Sequence, residues 1–127
     1  MPDGILIADD SALMRRVIHA HLKEKNFFVC GEAVDGRNAI EKALELKPAL
    51  ILLDLAMPQM NGLEAACVVR GRLPDVRLVL FTMYEEVLAS KSLTPAMGID
   101  AVVSKMDGMS ALAECVQRLL AASPYNS

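Results

Sequence analysis

No stretch of this chain approaches the ~20 consecutive apolar residues that a membrane-spanning helix requires, although 54% of its 127 residues are hydrophobic. The apolar material is therefore expected to fill a core, and no membrane contact is expected. Basic residues are scattered and outnumbered, 13 Lys and Arg against 16 Asp and Glu, for a net charge of -3. Nothing resembles the basic stripe that neutralises nucleic-acid phosphates, so direct nucleic-acid binding is not expected. Cysteine is sparse: Cys30, Cys67 and Cys115 are odd in number and far apart, with no C-x-x-C pair. That argues against a disulfide framework or a zinc site and for small hydrophobes in a reducing, cytoplasmic setting. The start, Met1-Pro2-Asp3-Gly4, lacks a basic n-region, so no signal peptide is expected. His19 and His21 stand two apart on a predicted helix and point in different directions, which speaks against a metal pair. There is no internal repeat, low-complexity stretch or interdomain linker, and the length fits one domain. We expect that domain over residues 1–122, with 123–127 a loose tail or the start of a linker.

What is present is an alternation of strand-like and helix-like segments. Residues 4–8 read as an apolar strand, and Ser11 offers an N-cap to a helix carrying Met14, Ile18 and Leu22 on one stripe. A second strand is predicted from Phe27 to Ala33, then a helix from about Arg37 to Leu46, stopped before Pro48. Residues 49–53 form a third strand, and a helix from about Leu63 to Arg70 is predicted to end near Gly71 and Pro74. Residues 77–81 and 101–104 are the fourth and fifth strands. Residues 85–93 read as a helix kept short or kinked by Pro95, and a last helix runs from about Met109 to Ala121. Five strands alternating with five helices imply a doubly wound α/β domain with a five-stranded parallel sheet. The flavodoxin-like order 2-1-3-4-5 places a crevice at the strand ends.

Five polar residues stand at the ends of four apolar runs. Asp9 and Asp10 follow Ile5–Ala8, Asp54 follows Leu50–Leu53, Thr82 follows Leu78–Phe81 and Lys105 lies just beyond Ala101–Val103. If each run is a buried parallel strand, three carboxylates, a hydroxyl and an ammonium meet at one sheet edge. Each alone has a dull explanation: acids favour a helix N-terminus, an aspartate can open a turn, and threonine and lysine are common at strand ends. Together they suit a hydrated Mg²⁺, which takes hard oxygen ligands and keeps several waters. Asp10 and Asp54 are expected as direct ligands, Asp9 through water, and the backbone carbonyl of Ala56 as a further oxygen. Three carboxylates balance Mg²⁺ plus one lysine, which removes the repulsion that an incoming phosphoryl group would otherwise meet. The chemistry suggested is phosphoryl transfer onto Asp54, with Thr82 hydrogen-bonding a phosphoryl oxygen and Lys105 pairing first with Asp54 and then with the phosphoryl group.

In this pattern the chain resembles a response-regulator receiver domain of two-component signalling, CheY-like, over roughly residues 4–121. The resemblance rests on Asp9-Asp10, the loop Asp54-x-x-Met57-Pro58-x-x-x-Gly62, Thr82 and Lys105, in that order and on those elements. The segment Ser104-Lys105-Met106-Asp107 is similar to receivers of the NarL/FixJ group. The resemblance implies that Asp54 is phosphorylated by a histidine kinase or phosphotransfer protein. It also implies slow hydrolysis of the domain's own acyl phosphate, with no separate substrate turned over. Further implications are a surface of the 85–93 helix, the fifth strand and the last helix that shifts on phosphorylation, and an output domain or downstream protein that reads it. A homodimer through the last helix is a further expectation.

Several residues depart from that pattern. Val102 stands where such receivers often carry an aromatic that swings inward. Met106 stands where a cis-proline is frequent, and for a non-proline residue cis costs ~2.5–4 kcal/mol, so trans is expected. Met83 is bulkier than the residue often found there and is expected to narrow access to Asp54, while Tyr84 is expected at the pocket mouth. Three other functions compete. A haloacid-dehalogenase-type phosphatase needs an acid two residues after its nucleophile, where this chain has Ala56. An FMN-binding flavodoxin needs a phosphate-cradling loop where this chain has Asp9-Asp10. A docking or dimerisation module that ignores phosphorylation would share the fold; the intact acidic pocket argues against it, and Val102 and Pro95 keep it open.

Overall fold

The computed structural model describes residues 4–83 and 98–122. Five parallel strands form one sheet in the order 2-1-3-4-5: β1 Ile5–Ala8, β2 Val29–Ala33, β3 Leu50–Leu53, β4 Arg77–Thr82 and β5 Ala101–Ser104. Four α-helices are present among the described residues: α1 Ala12–Glu24, α2 Gly36–Leu46, α3 Gly62–Arg72 and α4 Gly108–Ala121. A 3-10 turn, Lys105–Asp107, joins β5 to α4. The helix expected at 85–93, with Pro95 and Tyr84, lies outside the described residues.

The three central strands are continuous apolar runs because both of their faces are covered. Side chains alternate across a strand, and the core divides accordingly. Leu6, Ile51, Leu53, Leu78 and Leu80 pack with Ala39 and Ala43 of α2 and with Ala65, Ala66 and Val69 of α3. Ile5, Ile7, Leu50, Leu52, Val79 and Phe81 face the other way, against Ile18 and Leu22 of α1 and Leu112, Cys115 and Val116 of α4. Small alanines of α2 and α3 fill the first layer, whereas α1 and α4 cover the other face with larger side chains. Cys115 is buried in this second layer, as a small hydrophobe would be, and burial pushes its thiol pKa up. No described helix is long and apolar enough to cross a membrane.

The caps are built from the residues the sequence offers. Ser11 accepts from the Met14 N–H, Asp35 from the Asn38 N–H, and Asn61 forms a reciprocal capping box with Glu64. Two boundaries differ from expectation by two residues. β2 starts at Val29 rather than Phe27, because the chain is still leaving α1: Asn26 has φ 68° and the Phe27 N–H bonds back to the Leu22 carbonyl. α3 continues through Gly71 to Arg72. What ends it is Pro74, which disfavours helical backbone at the preceding residue. Leu73 accordingly sits at φ -130°, ψ 82°.

Candidate functional site at the strand ends

The sheet register brings the polar residues together. β1 and β3 run in step, Ala8 beside Leu53, so Asp9 and Asp54 follow at one level. The Asp54 N–H extends the ladder to the Ala8 carbonyl (2.9 Å), and the Asp9 N–H bonds to the Ala33 carbonyl (3.1 Å). Thr82 pairs with Ser104 across β4 and β5, which puts Lys105 one residue beyond the sheet edge. Asp9, Asp54 and Thr82 are all buried, at 2%, 7% and 0% exposure, while Asp10 is exposed. Each of Asp9, Asp10 and Asp54 offers a carboxylate oxygen, and these oxygens lie within 4.8 Å of one another.

Lys105 closes the group. Its Nζ lies 2.9 Å from Asp9 Oδ2 and 3.4 Å from Asp54 Oδ1, and 6.0 Å from the centre of the Phe81 ring. Its closer partner is thus Asp9 rather than Asp54. Asp9 Oδ1 also accepts from the Ser11 N–H (2.9 Å), so both Asp9 oxygens are engaged. Among the described residues Asp10 has no hydrogen bond or ion pair to its side chain. Burial pushes the Asp54 carboxyl above its ordinary pKa range; Lys105 opposes this, and Asp9 and Asp10 add to it. A site that disfavours charge on Asp54 in this way is relieved by a cation. Three hard carboxylate oxygens, with an exposed side left for water, fit Mg²⁺.

The loop after Asp54 is held against the site. The Gly62 N–H bonds to the Leu55 carbonyl at 3.0 Å, and a Cβ on Gly62 would overlap the Asp54 carbonyl oxygen. Close backbone approach therefore requires glycine here. Met57 is buried, whereas Ala56 and Pro58 are exposed. Val102 is partly buried and packs against the α2/α3 layer, and Met83 is 52% exposed. Ser104 Oγ accepts from the Met106 N–H, and no described peptide bond is cis, Lys105–Met106 included.

One set of neighbours was not foreseen from the sequence. Arg15 of α1 donates to the Asp9 carbonyl (2.8 Å) and to Glu32 of β2 (3.1 Å), and His19 Nδ1 lies 2.8 Å from the same Glu32 carboxylate. The sequence signal was an acid, Glu32, inside an otherwise apolar strand.

The family model for the response regulator receiver domain matches residues 5–117. The chain belongs to this family. Among curated relatives it is 38% identical over 120 residues to the response regulator protein VraR of Staphylococcus saprophyticus, covering 93% of this chain and 56% of that protein. The Staphylococcus epidermidis VraR is 35% identical over 117 residues, with 90% and 54% covered. The chain thus spans about half the length of the curated relatives it matches. Of solved structures, the receiver domain of AraT from Geobacillus stearothermophilus superposes with TM-score 0.83 at 31% identity, covering 96% of this chain and 95% of that one. The signal receiver domain of NarL from Mycobacterium tuberculosis gives 0.82 at 28%, covering 92% and 94%. A CheY-like receiver from Methanospirillum hungatei shares the fold, with TM-score 0.88 at 21% identity and 98% of both chains covered.

Proposed function

We propose that this receiver domain is a phosphorylation-dependent switch in which Asp54 accepts a phosphoryl group from a phosphohistidine of a histidine kinase or phosphotransfer protein. The observation that carries this reading is Lys105 lodged between Asp9 and Asp54, beside a third carboxylate on Asp10. In the transfer, the phosphorus–nitrogen bond of the donor breaks as a bond forms from an Asp54 oxygen to phosphorus. Hydrolysis later transfers the phosphoryl group to water and restores the carboxylate. Bound Mg²⁺ supplies charge neutralisation for the transferring group. Asp10 and Asp54 would hold it directly, with Asp9 acting through water and the Ala56 carbonyl contributing an oxygen.

Lys105 and Thr82 bind the phosphoryl oxygens once the group has arrived, and Met57, Pro58 and Gly62 keep the loop backbone close to Asp54. Met83 and Tyr84 are assigned a role in limiting the access of water to the acyl phosphate; Tyr84→Ala should shorten its lifetime, and an unchanged lifetime removes that role. Thr82 couples the pocket to a surface on β5 and α4 and to the 85–93 segment, with Val102 in place of an aromatic. The domain turns over no separate substrate. It acts through an output domain or downstream protein, with or without a homodimer, in a cytoplasmic setting that suits three free thiols. Mg²⁺ with beryllofluoride, followed by NMR beside Asp54→Asn, tests this. Shifts at Thr82, Lys105 and the β5/α4 face that vanish in the variant are expected. No shifts, or equal shifts in the variant, favour a docking module that ignores phosphorylation.

A further inference from the structure

Asp10 carries the exposed carboxylate of the site, yet no described side chain or backbone group holds it. Its aim is therefore set by the backbone before it. The Asp9 carbonyl and the Asp10 N–H belong to one planar peptide unit, so fixing the carbonyl oxygen fixes the plane from which the Asp10 side chain departs. That oxygen accepts from Arg15 Nη1 at 2.8 Å. Arg15 is itself held, its Nε donating to Glu32 Oε1 at 3.1 Å, while His19 Nδ1 meets Glu32 Oε2 at 2.8 Å. The guanidinium is mostly buried, its side chain 16% exposed. A planar guanidinium with two fixed partners holds position far better than a flexible ammonium would.

We infer that Arg15, anchored by Glu32, is a positioning residue that sets the Asp9–Asp10 peptide so that Asp10 is aimed at the cation. This rests on the phosphoacceptor reading above. Glu32 also neutralises a guanidinium that would otherwise stand uncompensated beside a cation site. The arrangement is an outer layer acting through backbone, the counterpart of side-chain partners that orient metal ligands and whose loss commonly weakens metal binding roughly tenfold or more.

Position and charge predict opposite effects for the simplest change. Removing Arg15 alone removes a positive charge, which by charge alone would tighten Mg²⁺ binding. By position it loosens it. The paired variant Arg15→Gln with Glu32→Gln leaves the local charge balanced and isolates geometry. Mg²⁺ affinity is measured by isothermal titration on the wild-type chain, Arg15→Gln, the paired variant and Arg15→Lys, with Arg16→Gln as an exposed neighbour for comparison. Amide NMR of Asp10 and Ser11 in the metal-free proteins reports the peptide plane directly. The expected result is Mg²⁺ binding weakened roughly tenfold in Arg15→Gln and in the paired variant, with partial recovery in Arg15→Lys, none of the loss in Arg16→Gln, and displaced Asp10 and Ser11 amides. Wild-type binding with equal or tighter binding in the Arg15 variants overturns the positioning role and leaves the phosphoacceptor reading standing. A wild-type chain that binds no Mg²⁺ overturns both.

Discussion

Lys105 meets Asp9, at 2.9 Å, more closely than it meets Asp54, at 3.4 Å. The ammonium reaches from beyond β5 to the end of β1, over the two strands between them. It offsets the mutual repulsion of the two carboxylates, and on the proposed function its nearness to Asp54 would let it follow a phosphoryl group placed there.

Lys105→Met should therefore destabilise the metal-free protein by about 1.5–3 kcal/mol, the scale of losing a hydrogen bond to a buried charged group. Chemical denaturation in a chelator measures this. Added Mg²⁺ should recover part of the loss, because it supplies positive charge to the same carboxylates. Full stability in the variant without metal would remove the neutralising role.

Asp54→Asn should act in the opposite direction. The Asp54 carboxyl is raised above its ordinary range, first by burial. A folded-state pKa above the unfolded one means that the folded protein binds this proton more tightly. The ionised group thus opposes folding at neutral pH, and the penalty lifts as pH falls through the folded value. The variant should melt higher than the wild type in chelator at neutral pH. The gap should narrow in the acidic carboxylate range, and also on adding Mg²⁺ at neutral pH.

Glu32 carries the reverse sign. Its pKa is lowered, mainly by the His19 hydrogen bond and further by Arg15. Its contribution to stability is present above the unfolded value and is lost as pH falls through the folded one. Glu32→Gln should flatten this acid-side loss in a series of unfolding curves, and an unchanged acid limb contradicts it.

Much of this was legible in the sequence. Ile5–Ala8, Leu50–Leu53 and Leu78–Phe81 are unbroken apolar runs because both sheet faces are covered, and their polar terminators mark one edge. The start of β2 was not legible, since Phe27 and Phe28 suit a strand while the turn at Asn26 delays it. For α3 the sequence offers two stops, Gly71 and Pro74, and only the structure shows the helix running through the glycine to Arg72. The Arg15–Glu32 pair depends on how α1 lies against β2, residues 17 apart in the chain, and no local pattern states that. Asp9's preference for Lys105 is likewise a matter of fractions of an ångström.

Gly62→Ala tests the tightness of the loop. Its Cβ would meet the Asp54 carbonyl group and come within 3.2 Å of Leu55 Cα, all backbone that cannot rotate away. A loss of about 1–3 kcal/mol is expected, with slower phosphoryl uptake as Asp54 is displaced. Asn61→Ala next to it should cost about 1 kcal/mol through the lost cap and leave uptake much less affected. Equal effects of the two on uptake would contradict this account.

The most direct measurement is intact mass after incubation with acetyl phosphate, with and without Mg²⁺, beside Asp54→Asn. The account predicts a gain of one phosphoryl group that requires Mg²⁺ and is absent from the variant. A gain that persists in Asp54→Asn, or no gain in the wild type, contradicts it.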